Sequence, residues 1–143
     1  MRRFHRDRDK QPVIDALIAD GKGPFSQIWQ VMIFASALGF RIQKKVPLKE
    51  ADSNVAIPPS VFSNNCASWP GYAYLLNLVE TSNPNVFNND DSADERRIRL
   101  LEEYANGGLE HIRENLDSQN YSLDSVCRLI AQLLHKVPTT DQI

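Results

Sequence analysis

Apolar residues recur at three- and four-residue intervals along most of this chain, and that period constrains the fold more than any other feature. Val13, Ile14, Leu17 and Ile18 form one stripe, and Ile98, Leu101, Tyr104 and Ala105 a second. Leu109, Ile112 and Leu116 form a third, and Val126, Leu129, Ile130, Leu133, Leu134 and Val137 a fourth. Such spacing puts the residues on one helical face, which must be buried against another element. Proline and glycine punctuate the stripes. Pro12 suits a first helical turn, and Gly21-Lys22-Gly23 ends that helix. Pro24 opens a second helix that runs to Leu38, with Gly39 just past its end. This helix is apolar on most sides and is expected to be the most buried. Further helices are read over 72–79 and after Ser122, which caps the last one, and Pro138 stops the chain of periods.

Two stretches break the pattern. Phe40, Ile42 and Leu48 alternate loosely with polar residues, and Pro47 makes the segment an edge strand or an ordered loop. A second extended piece over 54–58 can pair with it until Pro58-Pro59 stops it. Residues 81–94, rich in Asn, Asp and Ser, are the clearest loop, pinned to the body by Val86 and Phe87. Ser92 and Glu95 have the spacing of a capping box for the helix that follows. Gly107-Gly108 then interrupt the period. Two adjacent glycines cost about 2 kcal/mol inside a helix, which favours a turn between two helices over a close-contact point. The expected fold is mainly α: a compact bundle of five or six helices with a small β-hairpin insertion between 40 and 58. Residues 1–10 read as a basic flexible arm, 11–138 as one helical domain and 139–143 as a frayed tail.

Charge is unevenly divided. The 143 residues carry a formal net charge of -2, but residues 1–50 sum to +5 and residues 51–143 to -7. Arg2, Arg3, Arg6, Arg8 and Lys10 form one basic cluster, and Arg41, Lys44, Lys45 and Lys49 a second. A basic arm beside a basic hairpin can follow a phosphate backbone, although Asp7 and Asp9 in the arm and the pI of 5.9 weigh against a general nucleic-acid binder. Any DNA contact is expected from the first 50 residues, and reversing Lys44 and Lys45 to Glu is expected to abolish it while leaving the fold intact. No apolar run approaches the roughly 20 residues of a bilayer span, and no apolar h-region follows the charged start. The expectation is a cytoplasmic protein with no membrane partner and with Cys66 and Cys127 as free thiols.

Motifs for chemistry are missing. His5, His111, His135 and the two cysteines lack metal-ligand spacing. Gly21-Lys22-Gly23-Pro24 lacks the spacing of a phosphate loop, and no nucleophile elbow occurs. The carboxylate doublets Asp90-Asp91, Asp94-Glu95 and Glu102-Glu103 point about 100° apart on a helix and find i, i+3 and i, i+4 partners in Arg96, Arg97 and Arg99. No catalytic residue, cofactor or metal is expected, and a pocket gathering Arg99, Glu102 and His111 would argue for an enzyme.

One stretch is more specific than its physics. Glu103-Tyr104-Ala105-Asn106-Gly107-Gly108-Leu109 resembles a signature of small bacterial proteins associated with DNA phosphorothioation (Dnd) gene clusters. Phe34-Ala-Ser-Ala-Leu-Gly-Phe40, Val46-Pro-Leu48, Ile57 and Phe62 extend the likeness over roughly 24–134. The resemblance implies a role in DNA modification or its partner restriction system, in defence against foreign DNA, and brings no catalytic residue. Physically, Asn106-Gly107-Gly108 reads as a positive-φ helix-turn-helix corner; the functional reading is a docking point for a larger subunit. Together with the charge split, it implies a non-catalytic accessory subunit acting through protein association, with a larger protein subunit as partner and DNA as a further candidate. The alternative is a stand-alone, dimeric DNA-binding regulator relying on Arg2, Arg3, Arg6, Lys44 and Lys45.

Overall fold

The computed structural model describes residues 2–116 and 121–135. Among them lie six α-helices: α1 (Gln11–Ile18), α2 (Ile28–Arg41), α3 (Pro59–Asn65), α4 (Trp69–Thr81), α5 (Asp91–Asn115) and α6 (Leu123–His135). The expectations for Val137, Pro138 and the tail 139–143 fall outside the described residues.

The axis of the fold is α5, not α2. Its twenty-five residues run unbroken through Gly107-Gly108, so the expected turn is absent. The reason is the approach of its neighbours. A Cβ on Gly108 would overlap the carbonyl oxygen of Ala35, one on Gly39 that of Tyr104, and one on Gly107 that of Lys44. Small residues at 35, 39, 107 and 108 let the backbones of α2 and α5 almost touch, and the contact offsets the local helix cost of two glycines. Gly39 is therefore interior to α2 rather than beyond its end. The helix continues to Arg41, and Gln43 takes the left-handed conformation at φ 56° instead. Its start is likewise later than Pro24, because Gln27 and Gln30 form a reciprocal capping box. On α5 the cap is Asp90, whose carboxylate accepts from the N–H of Ala93 at 2.7 Å, in place of Ser92. Ser122 does cap α6, accepting from the N–H of Ser125.

No β-hairpin forms over 40–58, and the described residues contain no strand ladder. Two isolated antiparallel bridges, Phe4–Ile57 and Asp7–Ala51, join the N-terminal segment to this region instead. Phe4 and Ile57 exchange backbone hydrogen bonds at 2.9 and 2.8 Å; Arg8 donates to Glu50 and Asp52 to Arg6. Residues 44–47 satisfy their backbone against helices: the N–H of Lys44 donates to the carbonyl of Gly39 on α2, that of Val46 to the carbonyl of Glu103 on α5, and the Asn106 side chain donates to the carbonyls of Val46 and Pro47. Each extended piece thus finds a nearer partner than the other.

Residues 2–10 accordingly belong to the body rather than to an arm. Phe4 is buried against Phe62 and Trp69, with ring centroids 5.4 and 6.3 Å away. Arg6, Asp7 and Lys10 are buried too. The one aromatic residue of the segment anchors it, and the aromatic cluster continues through the stacked Phe62–Trp69 pair at 4.3 Å. The 81–94 connection contains a 3-10 turn over Pro84–Phe87, held by Arg97, which donates to the carbonyls of Val86 and Asn88 at 2.6 and 2.8 Å.

Candidate functional site

Several of the residues singled out in the sequence, among them Arg2, Lys44, Glu103 and Asn106, meet at α5, where the N-terminal segment and residues 44–52 lie across it. Helical spacing aligns Glu95, Glu102, Asn106 and Arg113 along one face of that helix. The Arg2 guanidinium meets Glu95 at 2.6 Å and Glu102 at 2.9 Å, and its backbone N–H donates to Asp94. The backbone N–H of His5 makes a short hydrogen bond to the other oxygen of Glu102, with the His5 ring nitrogen 3.3 Å away. Glu102 is 3% exposed. Burial raises its pKa above the ordinary carboxylate value, against the pull of the His5 N–H and Arg2.

One turn of chain further on, Asp7 takes the opposite shift. It is 2% exposed, and burial alone would raise it. The backbone N–H groups of Lys49 and Glu50, donating at 2.9 and 2.8 Å, outweigh burial with help from Lys10 and Asn106, and hold Asp7 below the usual range. A third polar link closes the far side. The Tyr104 hydroxyl donates to Glu80 at 2.6 Å, while Lys45 pairs with Glu80 at 3.3 Å and lies over the Tyr104 ring. Burial, then the Glu80 charge, raises the tyrosine pKa, and the same hydroxyl lowers that of Glu80.

Most of the expected phosphate-binding set is engaged inside the molecule. Arg6 donates to Gln11 and to the carbonyl of Val55. Arg8 pairs with Glu50 and Asp52, Lys10 with Asp9, and Lys44 with Glu114 and Glu110. Arg41 donates to the carbonyl of Leu133. Among the described residues, Arg3 and Lys49 are exposed and make no ion pair. In the signature, Tyr104, Ala105, Asn106, Gly107, Gly108 and Leu109 are buried, and Glu103 is half-buried. Its side chains hold α2, residues 44–47 and Asp7 to α5.

A cleft of about 160 Å³ opens at this junction, between Pro47, Leu48, Arg2, Arg99, Glu102 and Glu103. It gathers Arg99 and Glu102 but not His111, which lies against Asn115. Its two guanidinium groups and two carboxylates balance one another, and it holds no hydroxyl, thiol or imidazole to act as nucleophile. Among the described residues no group of three or more His, Cys, Asp or Glu is placed to hold a metal ion. Cys66 is half-buried, Cys127 is exposed, and both are free. Sequence reasoning missed Asn77, Asn106 and Arg97 as buried polar residues; a polar residue on the apolar side of a helical period was the available signal.

A family model described as DNA sulphur modification system-associated protein 4 matches residues 3–142. No curated protein and no solved structure matches the chain.

Proposed function

Because the chain belongs to the family of DNA sulphur modification system-associated protein 4, we infer that it serves that system as a non-catalytic accessory subunit, working through protein association. The observation that carries this reading is the internal pairing of the basic front. Arg2, Arg8, Lys10, Lys44 and Lys45 all face carboxylates of the same chain. Cations paired in this way release few counterions on meeting a phosphate backbone. An exposed apolar stripe supports association with protein: Leu75 and Val79, one turn apart on α4, are 61% and 57% exposed. Among the described residues no helix is long and apolar enough to cross a membrane. DNA contact in this reading is secondary and falls to Arg3 and Lys49.

The test is co-purification of the tagged chain from cells carrying the intact modification system, beside a DNA titration across salt. The expected result is retention of another protein of the system, lost in the Leu75→Glu, Val79→Glu double variant, with weak DNA binding by the chain alone. Tight DNA binding with a steep salt dependence and no retained protein would instead establish the stand-alone regulator.

A further inference from the structure

The N-terminal segment is held unevenly. Residues 6–8 are well satisfied. The Arg6 carbonyl accepts from the N–H of Asp52, its guanidinium donates to the carbonyl of Val55, and the Asp7 carboxylate accepts two backbone N–H groups. Residues 2–5 are not. Arg2 Nη1 is buried 2.9 Å from Glu102, and His5 Nδ1 is buried 3.3 Å from the same carboxylate, yet neither makes a hydrogen bond. Buried polar nitrogens left in this state cost free energy, and the desolvation of Glu102 adds to it. Packing around the stretch is incomplete as well. Arg2 stands between two clefts, the one beside Pro47 and Leu48 and another of about 90 Å³ among Phe4, Phe62, Trp69, Ala73 and Ile98.

Two pockets lie beneath residues 2–5. Asp94, Glu95 and Glu102 of α5 make an acidic one, filled by Arg2. Phe62 and Trp69 make an aromatic one, filled by Phe4. Beside them the backbone of Ile57 pairs in both directions with that of Phe4. Residues 2–5 thus sit on the body as a bound peptide sits in a groove: main-chain hydrogen bonds fix the register, and pockets for side chains fix the choice.

We propose that residues 2–5 are a displaceable strap, hinged at Arg6, over a peptide-binding groove that takes in trans a partner segment with an arginine two positions before an aromatic residue. The strap is the template for that partner. Three carboxylates select the cation, the rings of Phe62 and Trp69 select an aromatic side chain, and the spacing is that of Arg2 and Phe4. The closed form dominates, as the burial of Phe4 requires, and the open form is the minor state that a partner captures. The groove lies against Trp69 and Ala73, on the buried face of α4, away from the exposed Leu75 and Val79. It is therefore a contact surface separate from theirs.

The test uses the full chain and a fluorescent peptide spanning residues 2–10. In hydrogen exchange, the amides of Phe4 and Ile57 are expected to open together while α2 and α5 stay protected. In fluorescence anisotropy, the Arg2→Ala chain is expected to bind the peptide about tenfold or more tighter than the parent, because its groove is open in a larger fraction of molecules. Phe4→Ala serves as a second opened chain. In the peptide itself, Phe4→Ala and Arg2→Glu should each weaken binding by about tenfold or more. The proposal is overturned if Phe4 and Ile57 exchange only on global unfolding, if neither opened chain binds the peptide up to millimolar concentration, or if the Phe4→Ala peptide binds as well as the original. Dimerisation of the opened chains that the peptide reverses gives the groove to a second copy and overturns the partner. Failure of co-purification through Leu75 and Val79 leaves each of these results unchanged.

Discussion

Asp7 and Glu102 are two buried carboxylates on neighbouring turns of one junction, with opposite pH behaviour. The folded pKa of Asp7 lies below its unfolded value. Its stabilisation is therefore present above the unfolded pKa, near 3.9, and is lost as pH falls through the folded value. The folded pKa of Glu102 lies above its unfolded value. Its contribution is full below about 4.3 and is lost as pH rises through the folded value, because the unfolded chain ionises first. Urea unfolding between pH 3.5 and 7 should separate them. Asp7→Asn is expected to cost about 1–3 kcal/mol at neutral pH, with the deficit shrinking on acidification. Glu102→Gln is expected to gain on the parent as pH rises. At this scale the sequence was partly legible. Its basic residues were found, but their partners lie up to about a hundred positions away, as with His5 and Glu102, and no local pattern encodes such a pair.

The crossing of α2 and α5 decides the element scale. Gly→Ala in an exposed helix interior gains about 1 kcal/mol. Gly108→Ala is expected to do the reverse, losing about 1–3 kcal/mol in chemical denaturation, because the new methyl meets the backbone at Ala35. A gain would show that the helices do not approach so closely. Stripes at 13–18, 98–105, 109–116 and 126–134 were legible as helices because burial imposes their period. Gly107-Gly108 was misread because the penalty of a glycine pair is local while its compensation comes from another helix. The hairpin over 40–58 failed similarly: alternation marked extended chain correctly but could not identify its partner, which is the N-terminal segment.

Over the whole molecule, the split between a basic front and an acidic back becomes an internal fit. Lys44 and Lys45 illustrate it. Reversing both to Glu would set like charges against Glu110, Glu114 and Glu80, so the fold is not left untouched. A loss of about 1–2 kcal/mol in thermal or urea unfolding is expected, and any DNA-binding defect of that variant must be read beside it. Phe4→Ala is expected to cost about 3–5 kcal/mol and to speed amide exchange at residues 50–57. Loss of less than 1 kcal/mol would restore the picture of a detachable arm. The family signature was legible as a pattern. Its physical role was not, since only the assembled fold shows Asn106 reaching the carbonyls of Val46 and Pro47.

The N-terminal segment also sets an order of events during synthesis. Arg2 and His5 leave the ribosome nearly a hundred residues before their carboxylate on α5. The aromatic seat of Phe4 is complete only with Trp69. Until then this segment is a charged strand without its partners. Loops of that length close slowly compared with neighbouring helix pairs. The last step of folding should therefore be the docking of residues 2–10 onto α5 and the Phe62–Trp69 pair.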